Sequence, residues 1–248
     1  GDSVLAVLPG STRAAVAFFT NMGTAYTCRV IDVPASTGYG EPIQSLFKFK
    51  DGEKIVAAMS MDPRVTTNIK SPGNAKDGSP LAPPTHALAA TSDGYALRFS
   101  LEPFVDPSTR AGRKFARPSG DAQVVGVVKV HGNETIIAAT HQAHAMLCKV
   151  DEINFLAGAG KGVILVKLQE KKDDWLLGFI ASTGDRDLLR VDRGPGHQGA
   201  DIVGQAGRPR GQVAGGIDGN VARRQARQRL HAAGVTGRHA GVVKGGPL

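Results

Sequence analysis

A threefold internal repeat is the feature of this sequence that most limits its possible folds. Three segments match position by position when they are aligned on Gly23, Gly94 and Ala143: FFTNMGTAYTCRVIDV, AATSDGYALRFSLEPF and AATHQAHAMLCKVDEI. A threonine lies three residues before each of these positions, and an alanine lies two residues after it. Apolar residues then follow at alternate positions, a period typical of β-strands. Each segment is therefore predicted to form a β-hairpin with one apolar face and a tight turn.

The apolar positions that follow the turn correspond between the repeats. They are Tyr26/Leu97/Met146, Cys28/Phe99/Cys148, Val30/Leu101/Val150 and Val33/Phe104/Ile153. Because Cys28 and Cys148 align with a phenylalanine, we predict that both are buried packing residues without a reactive role.

Two more features recur downstream of each predicted hairpin. A glycine-containing polar or basic loop ends at Pro42, Phe115 and Val163, and an apolar strand follows at 53–58, 123–128 and 174–179. A single unit of this kind cannot bury its apolar face alone, so the three units are expected to be blades arranged radially. The prediction is an all-β bladed domain at 1–190, with repeats at about 4–62, 86–131 and 135–183.

The composition changes where a fourth repeat would be expected. A fourth copy begins at 187–194, but the alternating pattern fails after Gly194. Residues 191–248 hold nine Lys and Arg against three Asp, and fourteen Gly with no aromatic residue. Such a segment has little apolar surface to offset the entropy of ordering, and we predict a mostly disordered basic tail. Two origins stay open: a degenerate blade, or a stretch read in a different frame from its ancestor.

Charge and cysteine content narrow the classes of function. The net charge of +8 favours polyanionic partners, with nucleic acid first among them. Two cysteines cannot form a disulfide framework or a four-cysteine zinc site, which favours a reducing compartment. The sequence has no run of 18 apolar residues and no secretory signal pattern. A soluble cytoplasmic protein that does not bind membranes is therefore expected.

Several short motifs resemble one protein family. They are Phe18–Gly23, Gly40–Ile43, Asp51–Ile55, Thr91–Phe99 and Ala159–Val163. Over about residues 4–193 the sequence resembles the C-terminal domain found in the A subunits of DNA gyrase and of its paralogue, topoisomerase IV. The resemblance implies a β-pinwheel, a disc of four-stranded blades whose basic rim bends or wraps duplex DNA for a bacterial type IIA topoisomerase. It also implies two protein partners, which are the rest of the A subunit, and the ATPase subunit of the same enzyme.

The sequence departs from this family in two respects. The family's heptad Q-R-R-G-G-[RK]-G is absent, and because it would be expected just upstream of Gly1, the chain is expected to be a fragment. The family has five or six blades, whereas three and a remnant are counted here, so an incomplete disc is expected. The family's catalytic tyrosine lies in another domain of the enzyme. We therefore predict no catalytic residue, no cofactor and no activity of the chain in isolation.

The candidate DNA-binding residues are basic side chains of the repeats. Arg29 and Lys149 share one repeat position, and Arg98 lies earlier in the corresponding strand. If the apolar faces point inward, these side chains project to solvent. With the loop residues they would form a rim of phosphate contacts, which position DNA without reading its bases. The predicted set is Arg29, Arg98, Arg110, Arg113, Lys114, Lys149 and Lys161. The alternative is a protein-interaction propeller with solubilising surface charges and an incidental basic tail.

Two other motifs contain residue types that occur in zinc sites and in nucleotide-binding loops. His141, His144 and Cys148 have the residue types of zinc ligands, but they point to different faces of one short hairpin, so turn and packing roles are favoured. The Gly-Ala-Gly-Lys-Gly run at 158–162 lacks the spacing of a nucleotide-binding phosphate loop. No metal site and no nucleotide site are predicted.

Overall fold

The computed structural model describes residues 4–34, 40–168 and 173–183, and the backbone of two strands at 187–191 and 201–206. It divides into two compact units, 1–181 and 182–248. The strands of the first repeat are β1 (Ala15–Thr20), β2 (Thr24–Arg29) and β3 (Ile55–Ser60). Those of the second are β4 (His86–Thr91), β5 (Tyr95–Phe99), β6 (Arg113–Lys114) and β7 (Val124–Val130). Those of the third are β8 (Thr135–Thr140), β9 (Ala145–Lys149), β10 (Phe155–Leu156), β11 (Val163–Ile164) and β12 (Leu176–Ser182).

The helical content of the described residues is limited to short 3-10 turns, which lie at Val30–Asp32, Ile43–Ser45, Glu102–Phe104 and Val150–Glu152. Three of these turns follow the second strand of a hairpin, and they begin seven residues after Gly23 and Ala143 and eight residues after Gly94. None of the helices in the described part of the chain is long and apolar enough to cross a membrane. The prediction of an all-β bladed fold is confirmed.

The three predicted hairpins are present as antiparallel pairs, β1 with β2, β4 with β5, and β8 with β9. The aligned turn residues all have a positive φ: 72° at Gly23, 82° at Gly94 and 61° at Ala143. The recurring threonine closes each turn. The Thr20 hydroxyl donates to the Thr24 carbonyl at 3.0 Å and accepts from its N–H, and Thr91 and Thr140 make one such bond each. The repeated threonine thus has a structural cause.

The predicted closing strands are also present. Strands β3, β7 and β12 form sheet edges beside the first strand of the hairpin in their own repeat, β1, β4 and β8 respectively. The second strand of each hairpin is therefore left with one free edge. Strands from the glycine-containing loops pair with this edge in the first two blades.

The glycine-containing loops of the second and third repeats do not complete the blade of their own repeat. Strand β6 of the second repeat pairs with β2 of the first, and β11 of the third repeat pairs with β5 of the second. The first sheet has the order β3-β1-β2-β6, whereas the described third sheet has only β12-β8-β9. Its β9 edge is not paired with any described strand, so the third blade has three described strands.

The hydrophobic core lies between successive blades. Phe19 of the first blade makes edge-to-face contacts with Phe99, Phe104 and Phe115 of the second repeat, at ring-centroid distances of 5.2–6.0 Å. These rings belong to a buried cluster that spans both repeats. A second cluster joins the second and third repeats around Leu88, Ile136, Val150 and Leu176. Where a strand of one repeat pairs with the preceding blade, the two repeats therefore also share a hydrophobic cluster. We call β6 and β11 the exchanged strands.

Beyond Thr183, the second unit is described only as a backbone hairpin. Strand β13 (Asp187–Val191) pairs antiparallel with β14 (Asp201–Ala206). The first of these strands begins the predicted fourth repeat, and the second lies within the predicted basic tail, so part of that tail forms a strand. The rest of the tail, residues 192–200 and 207–248, lies outside the described residues. The boundary at residue 190 stays a prediction.

The two cysteines differ in burial, which corrects the prediction that both are packed inside. Cys28 is buried, but Cys148 is half-buried, because no described strand covers the outer edge of β9. Burial and the Asp32 carboxylate raise the pKa of Cys28 to about 11. Burial also raises the pKa of Cys148, with smaller contributions from Glu152 and Asp151.

We expect a thiol reagent to label native Cys148 faster than Cys28. The thiolate is the reacting form, and Cys28 is both better covered and further from ionisation near pH 8. Labelling kinetics of Cys28→Ser and Cys148→Ser variants assign each rate to one thiol. Equal native rates would contradict the greater burial of the Cys28 thiol.

Candidate nucleic-acid interface

The outer edge of the first blade carries a pair of cations that the second repeat supplies. Strand β6 places Lys114 opposite Thr24 and Arg113 opposite Ala25. This close approach requires the preceding Gly112, which has a φ of 70° and whose Cβ, if present, would lie 2.7 Å from the Ala25 carbonyl oxygen. The glycine of the predicted basic loop therefore seats two basic residues on a neighbouring blade.

Two lysines outside the predicted set lie beside this edge. Lys48, Lys50 and Lys114 line a groove of about 350 Å³ whose floor includes Tyr26 and Phe49. The Phe49 ring stacks on Tyr26 at 4.7 Å, which holds the lysine-bearing segment against the blade. Lys48 and Lys50 lie outside the recurring glycine-containing loop, and the counterpart of Lys50 in the second repeat is Ser119, whose carbonyl likewise accepts a hydrogen bond from the N–H three residues later.

The predicted residue Arg110 is tied to this groove through its backbone. Its carbonyl accepts a hydrogen bond of 2.8 Å from the Lys48 N–H, and its side chain is exposed. Arg113 is also exposed, but its guanidinium donates to the Pro103 carbonyl. Lys114 donates to the Met22 carbonyl at 2.7 Å, and this neutral acceptor does not cancel the charge of the ammonium group.

The surroundings of Lys114 lower the pKa of its ammonium group. Partial burial lowers its pKa most, repulsion from Lys50 and Arg117 lowers it further, and attraction to Glu53 opposes these effects. Lys50 and Arg117 are thus each close enough to repel the ammonium group of Lys114. Repulsion of this kind is relieved when an anion binds between the charges.

The cations continue from the first blade toward the second. The Arg117 N–H donates to the Gly160 carbonyl at 2.8 Å, which brings the exposed Arg117 next to the loop that carries Lys161. The Lys161 ammonium lies 3.8 Å from the Tyr95 ring centroid and 3.6 Å from an Asp93 carboxylate oxygen. We call the set of Lys48, Lys50, Lys114, Arg117 and Lys161 the basic rim.

Arg29 and Lys149 occupy matching places at the far ends of their strands. Each is the last residue of β2 or β9, is exposed, and donates its backbone N–H to an acidic residue three positions later, Asp32 or Glu152. Lys149 also donates from its ammonium to the Thr135 hydroxyl at 3.2 Å. Arg29 lies five residues along β2 from Thr24, about 17 Å from the part of the rim at Lys114.

Arg98 does not project to solvent, which corrects the prediction. The pairing of β5 places it opposite Leu88, two residues before Ser100, the true counterpart of Arg29 and Lys149. Its guanidinium donates to the carbonyls of Ile153 and Asp151 in the third repeat. Desolvation in this half-buried position lowers its pKa. Arg98 therefore joins two repeats, because the next repeat covers its strand.

The described residues contain no cluster of three or more His, Cys, Asp or Glu side chains suited to a metal ion. The His141 ring stacks on Trp175 at 3.7 Å, whereas His144 lies 3.5 Å from the Asp174 carboxylate. The Gly-rich run at 158–162 serves packing: a Cβ on Gly162 would lie 2.1 Å from the Ala96 carbonyl oxygen.

Comparisons with known proteins agree with this architecture. A family model described as the DNA gyrase C-terminal domain, beta-propeller, matches residues 15–60, 85–131 and 134–182. The DNA gyrase A subunit of Mycoplasma genitalium is 24% identical over 192 residues, which cover 77% of this chain and 20% of that protein. The DNA gyrase A subunit of Chlamydia muridarum is 26% identical over 193 residues, with coverages of 77% and 21%. The chain spans about a fifth of the length of these relatives.

Solved structures show the same fold. The C-terminal domain of DNA topoisomerase IV matches with a TM-score of 0.62 at 20% identity, over 75% of this chain and 53% of that chain. The C-terminal domain of E. coli ParC matches with a TM-score of 0.56 at 18% identity, over 73% and 67% respectively. Because the family model matches each of the three repeats found in the sequence and more than half of the chain, this protein belongs to the family of DNA gyrase C-terminal domains.

Proposed function

We propose that this chain is the DNA-binding domain in the A subunit of a bacterial type IIA topoisomerase, and that its basic rim holds duplex DNA through the phosphates. It bends or wraps the duplex and so aids supercoiling or decatenation by the whole enzyme. In this role it has no catalytic group or cofactor of its own. Its protein partners, in the bacterial cytoplasm, are the rest of the A subunit, together with the ATPase subunit.

The observation that carries this proposal is the continuity of the basic rim across segments of three repeats. Lys48 and Lys50 come from the first repeat, Lys114 and Arg117 from the second, and Lys161 from the third. Backbone pairing holds these segments together. Lys114 pairs with Thr24 through an exchanged strand, and the Arg117 N–H donates a hydrogen bond to the loop that carries Lys161. Cations at separate places along a duplex are the arrangement that phosphate contacts require.

The interlocked blades also suit DNA bending. Bending costs elastic energy, and a protein can offset that cost only with contacts on a surface that does not yield. Here each joint between blades contains an exchanged strand and a buried cluster of apolar side chains. A flexible basic segment could bind phosphates, but it could not impose a curvature on the duplex.

The salt dependence of duplex binding tests the proposal. If about six phosphates are neutralised, the logarithm of the binding constant should fall against the logarithm of salt concentration with a slope near −5. Fluorescence anisotropy of a labelled duplex, titrated with the full chain at several salt concentrations, measures this slope. Duplexes of unrelated sequence should bind with similar affinity, because phosphate contacts carry no base information.

The same titration separates the proposed function from the alternative of a protein-interaction propeller. Binding that is weak at low salt, or a slope near zero, would exclude a phosphate-binding rim. A strong preference for one duplex sequence would also contradict it, since that preference requires contacts with base edges.

A further inference from the structure

A buried carboxylate, that of Glu53, lies beside the lysine-lined groove of the first blade. Glu53 is 7% exposed, and three groups of its own repeat bind it. The Thr20 hydroxyl lies 2.7 Å from Oε1, whereas the Tyr26 hydroxyl and the Lys50 N–H donate to Oε2 at 3.1 and 2.9 Å. A negative charge beside a phosphate-binding surface opposes binding, so the charge alone does not account for this residue.

The hydrogen bonds of Glu53 hold the backbone of the lysine-bearing segment. The Tyr26 hydroxyl shares its proton between Glu53 and the Lys48 carbonyl, which lies 3.2 Å away. Burial raises the pKa of Tyr26 most, and the hydrogen bond to Glu53 and its charge raise it further, to about 12, so this hydroxyl stays a donor at neutral pH. Because Lys48 also donates its N–H to Arg110, and Lys50 to Glu53, both ends of the segment are fixed.

The second repeat shows that a blade can form without this network. Ala122 takes the place of Glu53, because each lies two residues before the strand residue that pairs with the turn threonine. Leu97 takes the place of Tyr26 in the repeat alignment. Strands β4, β5 and β7 nevertheless pair as β1, β2 and β3 do. The carboxylate and the hydroxyl therefore serve the lysine-bearing segment rather than the strands of the blade.

We propose, on the basis of the proposed function of the basic rim, that Glu53 is a positioning residue for DNA binding, which with Tyr26 fixes the lysine-bearing segment so that Lys48 and Lys50 meet the phosphates together. A lysine side chain loses conformational freedom when it binds a phosphate. A backbone that is already fixed adds no further entropic cost to that loss. The resulting gain in affinity exceeds the repulsion between one buried carboxylate and the duplex.

Two substitutions of Glu53 in the full chain separate its hydrogen bonds from its charge. Glu53→Ala removes both, and it should fold because alanine stands at this place in the second repeat. Although it removes a negative charge, it should bind duplex about fivefold more weakly at 0.1 M salt, with a salt slope shallower by about 1, as for the loss of one phosphate contact.

Glu53→Gln removes the charge and can keep the hydrogen bonds. Its amide oxygen can accept from Tyr26 and Lys50, and its amide nitrogen can donate to the Thr20 hydroxyl, whose proton has the Thr24 carbonyl as an acceptor. With the bonds retained and the repulsion removed, this variant should bind duplex more tightly than the wild-type chain. Anisotropy titrations at several salt concentrations measure both variants.

Tyr26→Phe tests the hydroxyl without a change of charge. The ring is retained and only the bonds to Glu53 and Lys48 are lost, so duplex binding should weaken, though less than in Glu53→Ala. In a chain that already carries Lys48→Gln and Lys50→Gln, neither substitution should weaken binding further, because the side chains that the network positions are absent.

Glu134 provides the matched control. It is 5% exposed and accepts hydrogen bonds from the N–H groups of His131 and Gly132. It lies between β7 and β8, at the ends of these strands that are opposite the hairpin turns. Glu134→Ala removes the same buried charge at a distance from the basic rim, and should not weaken duplex binding.

Hydrogen exchange of the free chain, followed by NMR, provides a readout without DNA. The Lys50 N–H should exchange faster in Glu53→Ala than in the wild-type chain, and should stay protected in Glu53→Gln. Unchanged exchange in Glu53→Ala would overturn the proposal, as would equal weakening of duplex binding by Glu53→Ala and by Glu53→Gln or Glu134→Ala. If the wild-type chain binds duplex and Glu53→Ala binds as tightly, the positioning role is wrong and the proposed function stands. A wild-type chain that does not bind duplex contradicts both.

Discussion

Replacing Phe19 with alanine should lower the free energy of unfolding by about 3–5 kcal/mol, the range for a fully buried phenylalanine. Phe19 is completely buried and contacts Phe99, Phe104 and Phe115, all from the second repeat. The substitution leaves a cavity in the joint between two blades, and the β-strands around it cannot collapse without breaking their pairing. The expected loss is a large fraction of the stability of an ordinary domain.

The neighbouring Phe18 provides the matched control. Its side chain is partly buried on the opposite face of β1, where it packs with Tyr26 and Phe47 of its own repeat. Phe18→Ala should therefore cost less than Phe19→Ala. Urea unfolding followed by circular dichroism gives both values. Equal losses would show that the joint between blades contributes no more to stability than packing within one repeat.

The second large effect concerns DNA. Changing Lys48, Lys50 and Lys114 together to glutamine should weaken duplex binding about a hundredfold at 0.1 M salt and make the salt slope shallower by about 3, because three phosphate contacts are lost. These residues line one groove and are exposed, so their loss should leave the fold intact. Anisotropy titrations at several salt concentrations provide both numbers.

A charge-matched variant separates the basic rim from net charge. Arg13, Lys70 and Lys76 are exposed cations outside the basic rim, and changing them to glutamine removes the same three charges. That variant should keep most of the affinity and most of the salt slope. If both triple variants weaken binding equally, the chain binds DNA through its overall charge and the basic rim has no special role.

The hairpins could be predicted from the sequence because their causes are local. Alternating apolar residues define which face of a strand is buried, and Gly23 and Gly94 allow the positive φ that a tight turn needs. Thr20, Thr91 and Thr140 close the turns through hydrogen bonds within four residues along the chain. The threefold repetition of these features was sufficient to predict a bladed all-β fold.

One residue of the candidate interface could also be predicted from the repeat, because it lies in a segment that recurs. Lys114 lies in a loop that the repeat alignment singles out, and its position on an exposed strand agrees with the prediction. Lys48 and Lys50 could not be found in this way, because Ser119 takes the place of Lys50 in the second repeat, and because the lysine-bearing segment is held to the blade by the stacking of Phe49 on Tyr26. Aromatic contacts of this kind have no periodic signature.

The sequence by itself determined the hairpin strands, the closing strands and the turns, and only the tertiary structure decided which repeat completes which blade. A free β-strand edge accepts any strand of suitable register, so local pattern does not distinguish pairing within a repeat from pairing between repeats. That choice placed Lys114 on the first blade and turned Arg98 inward to the carbonyls of the third repeat. Long-range pairing is decided by how much surface all the blades bury together, a quantity that no single segment contains.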